Sequence, residues 1–574
     1  MKQTIFLTLL LFVSTQIFAQ SLLEEAKKLT ENEQYEAASA KFGELISREP
    51  GNGNNYYFFG ENLLQGDNPD SARMAFEKGL QMDPANPLNK IGLAKIKLDE
   101  TNELEAKTIA DRSPNDATLK TRYEQVRQKV AEAKTTINEV VTSTQQKNAR
   151  ILIEAADALI HLKNKDLDKA KQYLDKAQSL DPKNPEVKIL FGDLYTELSN
   201  GTLAADYYNQ ALELDKNSAR SIVSKGRLYR RSLNFEGASG EYEKAITVDP
   251  NYAPAYRELA EVEFKLGKRD KALENYRKYL DLSKNNCGAR ISYARALYIN
   301  RNYFDALTEI SQLKEKCDPN NPTVLRITSY CYYELRDNTK VPDAIKKGLE
   351  AATKLFAVLP EAKRTATDYE YYGKLQIENK QDSASIEQGI DALRKAYEID
   401  RSKTDLLSVI ADAYIKLKKY PDAIKALMEK ITIGKDVKTI DYVNLGRSYY
   451  YNSQFLESDS SWKKVNELSP TYASGWSGRA RANTQLDTSS EAGLAKPFYE
   501  KYIELALADS ANPAKYTQGL IEAYGYLAYY YILKKDTASA LKYLRLKSAL
   551  PLEPEDLKKV MQAIDQLEGK KPKK

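Results

Sequence analysis

The residue types that carry acid–base, nucleophilic or metal chemistry are sparse in this 574-residue chain, and their spacing does not gather them. There is one histidine, His161, with no cysteine near it in sequence to complete a base–nucleophile pair. The three cysteines, Cys287, Cys317 and Cys331, lack the paired spacing of a zinc site. Gly51-Asn52-Gly53 lacks the third glycine of a dinucleotide-binding loop and follows a helical pattern rather than a strand, so it reads as a turn. Gly475-Trp476-Ser477-Gly478 approaches a nucleophile elbow, but the spacing is wrong and the pattern around it is helical. Acidic pairs such as Glu24 and Glu25 fall on solvated helix faces. These residues predict no catalytic site, no metal and no cofactor, and a chain that is not an enzyme.

The elements that would position any site are set by small residues instead. Ala170, Ala204, Ala238, Ala272 and Ala306 follow one another at intervals of 34 residues. Twelve positions before each stands another small residue: Ala158, Gly192, Gly226, Ala260 and Ala294. Four positions after each stands an apolar or aromatic one: Leu174, Tyr208, Tyr242, Tyr276 and Ile310. Two helices per period, crossing where the small residues lie and closed by a proline such as Pro250, account for this pattern. Weaker copies run outward. Tyr35, Ala38, Phe42 and Pro50 form one, and Tyr56, Gly60, Ala72, Phe76 and Pro84 the next. Ala411, Tyr414 and Ala423, then Gly446, Phe455 and Trp462, then Trp476 and Ala480, then Tyr524, Ala528 and Ala540 continue the series.

These residues resemble the tetratricopeptide repeat family. The resemblance implies an all-α fold, a right-handed superhelical solenoid of antiparallel helix pairs. Along the chain it predicts a leader over 1–20, an N-terminal repeat block over 21–86 and an irregular helical linker or decayed repeat over 87–150. A regular central array over 151–320 follows, then a C-terminal array with insertions over 321–550, and a capping helix with a basic tail over 551–574. Within 87–150, residues 118–141 read as a long charged helix with Val126, Val130 and Ala133 on one stripe. Insertions are expected around 338–364, 379–387 and 487–496.

Lys2, the apolar run Ile5 to Val13 and the small polar stretch ending Phe18-Ala19-Gln20-Ser21 read as a bacterial secretory signal, cleaved near Ala19/Gln20. The run is shorter than the roughly 20 residues a spanning helix needs, and no cysteine follows it to take a lipid. The periplasm is the expected compartment. There Cys287 and Cys317, at the same edge of one helix pair, stand where a disulfide would close; the other reading is two unrelated free thiols. Cys331, beside Tyr330, Tyr332 and Tyr333, reads as a small buried hydrophobe. A net charge of only +5 argues against nucleic acid as a partner. Forty tyrosines against fourteen phenylalanines suit helix seams where the ring is buried and the hydroxyl is wet.

In this family the first helices of the repeats line a concave groove. The resemblance therefore assigns Arg227, Arg230, Arg295, Tyr298, Arg447, Tyr450 and Arg481 to that groove as a candidate binding surface for carboxylate-bearing or acidic protein segments. The alternative is that these arginines pair with the intervening acids Asp193, Glu261 and Asp412. His161 falls at the register position of Tyr195 and Tyr229, which makes it a seam residue. The leading functional expectation is a non-catalytic periplasmic scaffold that joins protein partners in outer-membrane assembly, secretion or transport, without a membrane span. The second is a ligand-capture protein that takes a peptide or glycan in an aromatic-lined cleft.

Overall fold

The computed structural model describes residues 19–569, apart from 113–115, 285, 314–316, 380–381 and 510–512. The leader's apolar run and the basic tail at 570–574 lie outside the described residues, and Ala19 opens the first described helix, which runs over 19–31. Among the described residues every regular element is helical.

Two compact units divide at Ile327/Thr328, within the helix Pro322–Glu334. In the first unit antiparallel pairs follow one another: 19–31 with Tyr35–Arg48, Gly53–Gln65 with Pro69–Met82, Ala149–His161 with Leu167–Leu180, Pro185–Glu197 with Gly201–Leu214. Ala219–Arg231 with Phe235–Val248, Ala253–Lys265 with Arg269–Leu282, and Cys287–Ile299 with Tyr303–Ser311 continue the series. The second unit repeats the plan from Ala366–Asn379 with Ser383–Ile399 to Thr517–Leu533 with Thr537–Ser548. Pro554–Leu567 closes it, burying Val560 and Ile564 against Ala528 and Leu544.

The local causes recur with the period. Second helices start on side-chain caps: Asn68, Asp166, Asn200 and Asn234 each accept the backbone N–H three residues on. They stop at Asp83, Asp181 and Asp249, whose own N–H groups return to the last turn, and Pro84, Pro182 and Pro250 bar extension. The alanine ladder is fully buried from Ala170 to Ala306. The small residues opposite it receive rings. A Cβ on Gly226 would stand 2.4 Å from Tyr242 Cε1, so only glycine fits under that ring. Trp462 is cradled the same way between Gly446 and Gly478.

Helix Leu88–Glu100 packs between Gly53–Gln65 and Ala149–His161, in the place of a first helix. The long helix Ala117–Ser143 packs on Leu88–Glu100 as its second helix and buries Val130, Ala133, Ile137, Val140 and Val141. Glu103–Arg112 is the added piece. Register is lost because a helix is inserted, while one apolar cluster runs unbroken from Tyr57 to Leu194. Most of 338–364 is likewise a repeat helix, Ala344–Val358, so the extra chain there is the loop before it. The 487–496 insertion is tied down by Asp487, whose carboxylate accepts the N–H groups of Ala492, Gly493 and Leu494.

Candidate protein-binding face

Because side chains on the first helices face their counterparts one repeat away, charges placed there meet across the repeat boundary. In the first unit they form a chain of pairs. Lys95 Nζ lies 2.8 Å from Glu61, 3.1 Å from Glu154 and 3.0 Å from Asp157, and 3.3 Å from the Tyr57 hydroxyl. It thereby ties three successive first helices. Arg150 carries the chain on, pairing with Glu154 and, at 2.7 Å, with Glu186. His161 bridges Asp157 at 2.8 Å and Asp193 at 3.3 Å, and Tyr208 donates its hydroxyl to Asp193 at 2.7 Å. Arg227 Nε lies 2.8 Å from Glu258, while Arg230 reaches Glu258 at 3.4 Å and Glu261 at 2.5 Å.

The protonation states follow from these partners. Burial opposes charge on His161, but hydrogen bonds to Asp157 and Asp193 outweigh it and push the imidazole up to about 10. Burial also opposes charge on Lys95, yet Glu61, Tyr57 and the other acids hold its ammonium well above the ordinary lysine range. Burial would raise Glu258, but Arg227, Arg257 and Arg230 hold it below the usual carboxylate range. The oxygens of Glu61, Glu154 and Asp157 come within 4.8 Å of one another, a donor set that fits a hard cation. The Lys95 ammonium stands among them and supplies that charge itself.

Of the arginines and tyrosines singled out by register, the structure brings Arg227 and Arg230 together on Glu258. Arg295 acts electrostatically on Tyr276, and Tyr298 lies with its ring 5.9 Å from Tyr303. In the second unit Arg481 forks onto Glu522, with Nε at 3.0 Å and Nη2 at 2.8 Å, and Tyr499 donates to the same carboxylate at 2.7 Å. Tyr450 packs edge-on against Tyr451 and Phe455, and Arg447 acts electrostatically on Asp412. Asp412 itself accepts Asn444 Nδ2 at 2.6 Å. Of the intervening acids, Glu261 takes Arg230, whereas Asp193 is held by His161 and Tyr208.

Cys287 and Cys317 are joined as a disulfide, with Cα atoms 5.7 Å apart. Cys331 is buried, and burial raises its thiol. The repeat tyrosines Tyr208, Tyr242 and Tyr276 are buried in seams rather than stacked in a cleft.

A further cluster, Arg220, Arg257, Tyr279 and Asn286, meets Glu31 and Glu33 of the first helix pair. Register reasoning passed over it. One signal was present: Arg257 holds the position that Val223 and Ile291 occupy one period to either side. A single charge there, where neighbours are apolar, marks a local task.

Family models described as tetratricopeptide repeat match residues 161–225 and 223–286. The C-terminal part of a TPR repeat-containing protein from Cytophaga hutchinsonii is 30% identical, over 48% of this chain and 99% of that one, with a TM-score of 0.40. The chain belongs to the tetratricopeptide repeat family. Its fold is the all-α solenoid of that family, and the repeats make it a protein–protein interaction scaffold. Proteins of this family are generally non-catalytic. PilF of Pseudomonas aeruginosa is 20% identical over 40% of this tetratricopeptide protein and 97% of its own chain, with a TM-score of 0.31. YrrB, a TPR protein with an unusual peptide-binding site, is 20% identical over 32% and 96%, with a TM-score of 0.27. No curated protein matches the chain. Among the described residues no helix is long and apolar enough to cross a membrane.

Proposed function

We propose that this protein is a non-catalytic scaffold exported to the bacterial periplasm, where it joins protein partners of cell-envelope assembly, secretion or transport. One observation carries the non-catalytic part. The sole histidine, the buried lysine and two of the three cysteines are committed to structure: His161 is clamped by Asp157 and Asp193, Lys95 by three carboxylates, and Cys287 by Cys317. A general base needs a proton-accepting lone pair near its working pH, and His161 is held protonated. Export draws support from the leader-like residues Lys2 and Ile5 to Val13 and from a disulfide that suits an oxidising compartment. Ligand capture in an aromatic cleft draws less, because the repeat tyrosines spend their rings on packing and, at Tyr208, the hydroxyl on Asp193.

The test is cell fractionation followed by crosslinking and co-purification from the native envelope. The expected result is recovery in the periplasmic fraction with a defined set of protein partners. Recovery from the cytoplasm, or the absence of any crosslinked protein above a scrambled-bait control, overturns the reading.

A further inference from the structure

The turn after the first described helix reaches repeats that lie far along the chain. Glu33 places its carboxylate 3.2 Å from the Arg257 guanidinium and accepts the hydroxyl of Tyr279, 246 residues away. Its backbone carbonyl accepts Asn286 Nδ2 at 2.7 Å, across 253 residues. Glu31 lies 3.6 Å from Arg220, and Lys28 lies 3.8 Å from Asp249. Glu33 has φ +56°, the left-handed conformation found at the same turn in Asp67, Ser199, Leu233 and Arg301. That conformation lets one residue offer both its carboxylate and its own carbonyl to the same site.

The receiving groups also have contacts of their own. Asn286 caps the helix Cys287–Ile299 through its side-chain oxygen, which accepts Ala289 N–H at 2.7 Å and leaves the amide nitrogen for the Glu33 carbonyl. Arg257 lies over the Tyr279 ring at 5.8 Å and is steadied by Glu258 at 3.5 Å. Tyr279 and Asn286 are buried. A guanidinium and a phenol converging on one carboxylate, with an amide donor for the adjoining carbonyl, recognise an acidic residue at the tip of a tight turn. The outer pairs, Glu31–Arg220 and Lys28–Asp249, are longer and partly exposed, and such pairs hold weakly. Because the turn belongs to the same chain, it meets the site without a bimolecular encounter, which lets a weak contact stay closed and still be displaced.

We propose that Arg220, Arg257, Tyr279 and Asn286 form a receptor for an acidic turn, that the chain's own Glu31–Glu33 turn occupies it as a latch, and that a protein partner presenting such a turn competes for it. The partner half deepens the scaffold reading and rests on it; the latch does not. The test uses the full-length protein and a fluorescent peptide copying residues 27–38. Glu33→Lys sets a cation against Arg257 and opens the latch; Glu33→Gln is the milder variant should the first misfold. Expected are faster hydrogen exchange over 31–36 and at least about tenfold tighter peptide binding by the opened protein than by wild type. Adding Arg257→Ala to the opened protein should abolish the gain. Unchanged exchange, or equal peptide binding by wild type and both opened variants, overturns the proposal. Faster exchange with no peptide binding overturns the receptor and leaves a structural contact. Failure of the scaffold reading would show separately, as loss of envelope crosslinks with peptide binding intact.

Discussion

Lys430 and Asp441 show what a single buried pair does in this array. They lie 2.9 Å apart with side chains 2% and 1% exposed, and Ser408 bridges them with contacts of 2.6 Å to each. Three helices of the second unit, Leu406–Lys416, Tyr420–Ile433 and Thr439–Tyr451, thus share one satisfied polar knot. Asp441→Asn leaves the lysine charge buried without its counter-ion, and the expected loss is about 3–5 kcal/mol. Lys430→Met added to it should restore most of that loss. Both tryptophans, Trp462 and Trp476, lie in this unit, so urea unfolding followed by their fluorescence reads the effect directly. His161 gives the corresponding pH signature in the first unit. Its folded pKa of about 10 exceeds the ordinary 6.5, so the folded chain binds the proton more tightly than the unfolded one. The stabilisation is fully present below about pH 6.5 and drains away as pH rises toward 10. Asp157, Asp193, Lys95 and Tyr208 face or flank the ring and titrate outside that window by their partners. The side chain is 43% exposed, so water screens part of the effect. The advantage of wild type over His161→Gln in urea midpoint, followed by circular dichroism, should therefore shrink from pH 6 to pH 9. A constant difference would show that the imidazole charge is not what matters.

At the scale of the element, the turn between paired helices carries a cost that the chain has met in only one way per repeat. Leu233 sits at φ +61° with its side chain 73% exposed, and the equivalent place one period later is Gly267 at φ +75°. A left-handed leucine costs about 1–2 kcal/mol and here recovers no burial. Leu233→Gly should raise stability by about 0.5–1 kcal/mol, since glycine's larger unfolded-state entropy takes back part of the gain. A thermal or urea midpoint that falls instead would mean the leucine makes an unseen contact. This turn also shows what could be read from sequence and what could not. The ladder from Ala170 to Ala306 is a local periodic signal, and its burial follows from helix crossing alone. The inserted helix Glu103–Arg112 has no period to betray it, so its neighbours looked like a decayed stretch while packing as an ordinary pair. Register placed Arg227 and Arg230, but not their shared partner Glu258, which lies one helical turn before the register acid Glu261. Glu33 was illegible for a plainer reason: its partners Tyr279 and Asn286 lie 246 and 253 residues away, and no pattern in a repeat array announces where it folds back.

Over the whole of the first unit, that return contact changes how a disturbance should travel. In a simple solenoid each repeat touches its neighbours, and loosening one end stays at that end. The Cys287–Cys317 bond closes a loop with a sequence separation of 30, worth about 3–4 kcal/mol on the loop-entropy account. Reduction should thus expose the pair Cys287–Ile299 and Tyr303–Ser311 to local opening. Asn286 caps the first of these helices and at the same time holds the Glu33 carbonyl. If the helix frays, its cap loses its orientation, and the first repeat loses a partner that lies 253 residues away. Hydrogen exchange with and without a reductant tests this. Protection should fall over 287–311 and also over 31–36, while the intervening helix pair Ala149–His161 and Leu167–Leu180 keeps its rates. Loss confined to 287–311 would mean that the unit behaves as an open array and that the acidic turn rests on Arg257 and Tyr279 alone.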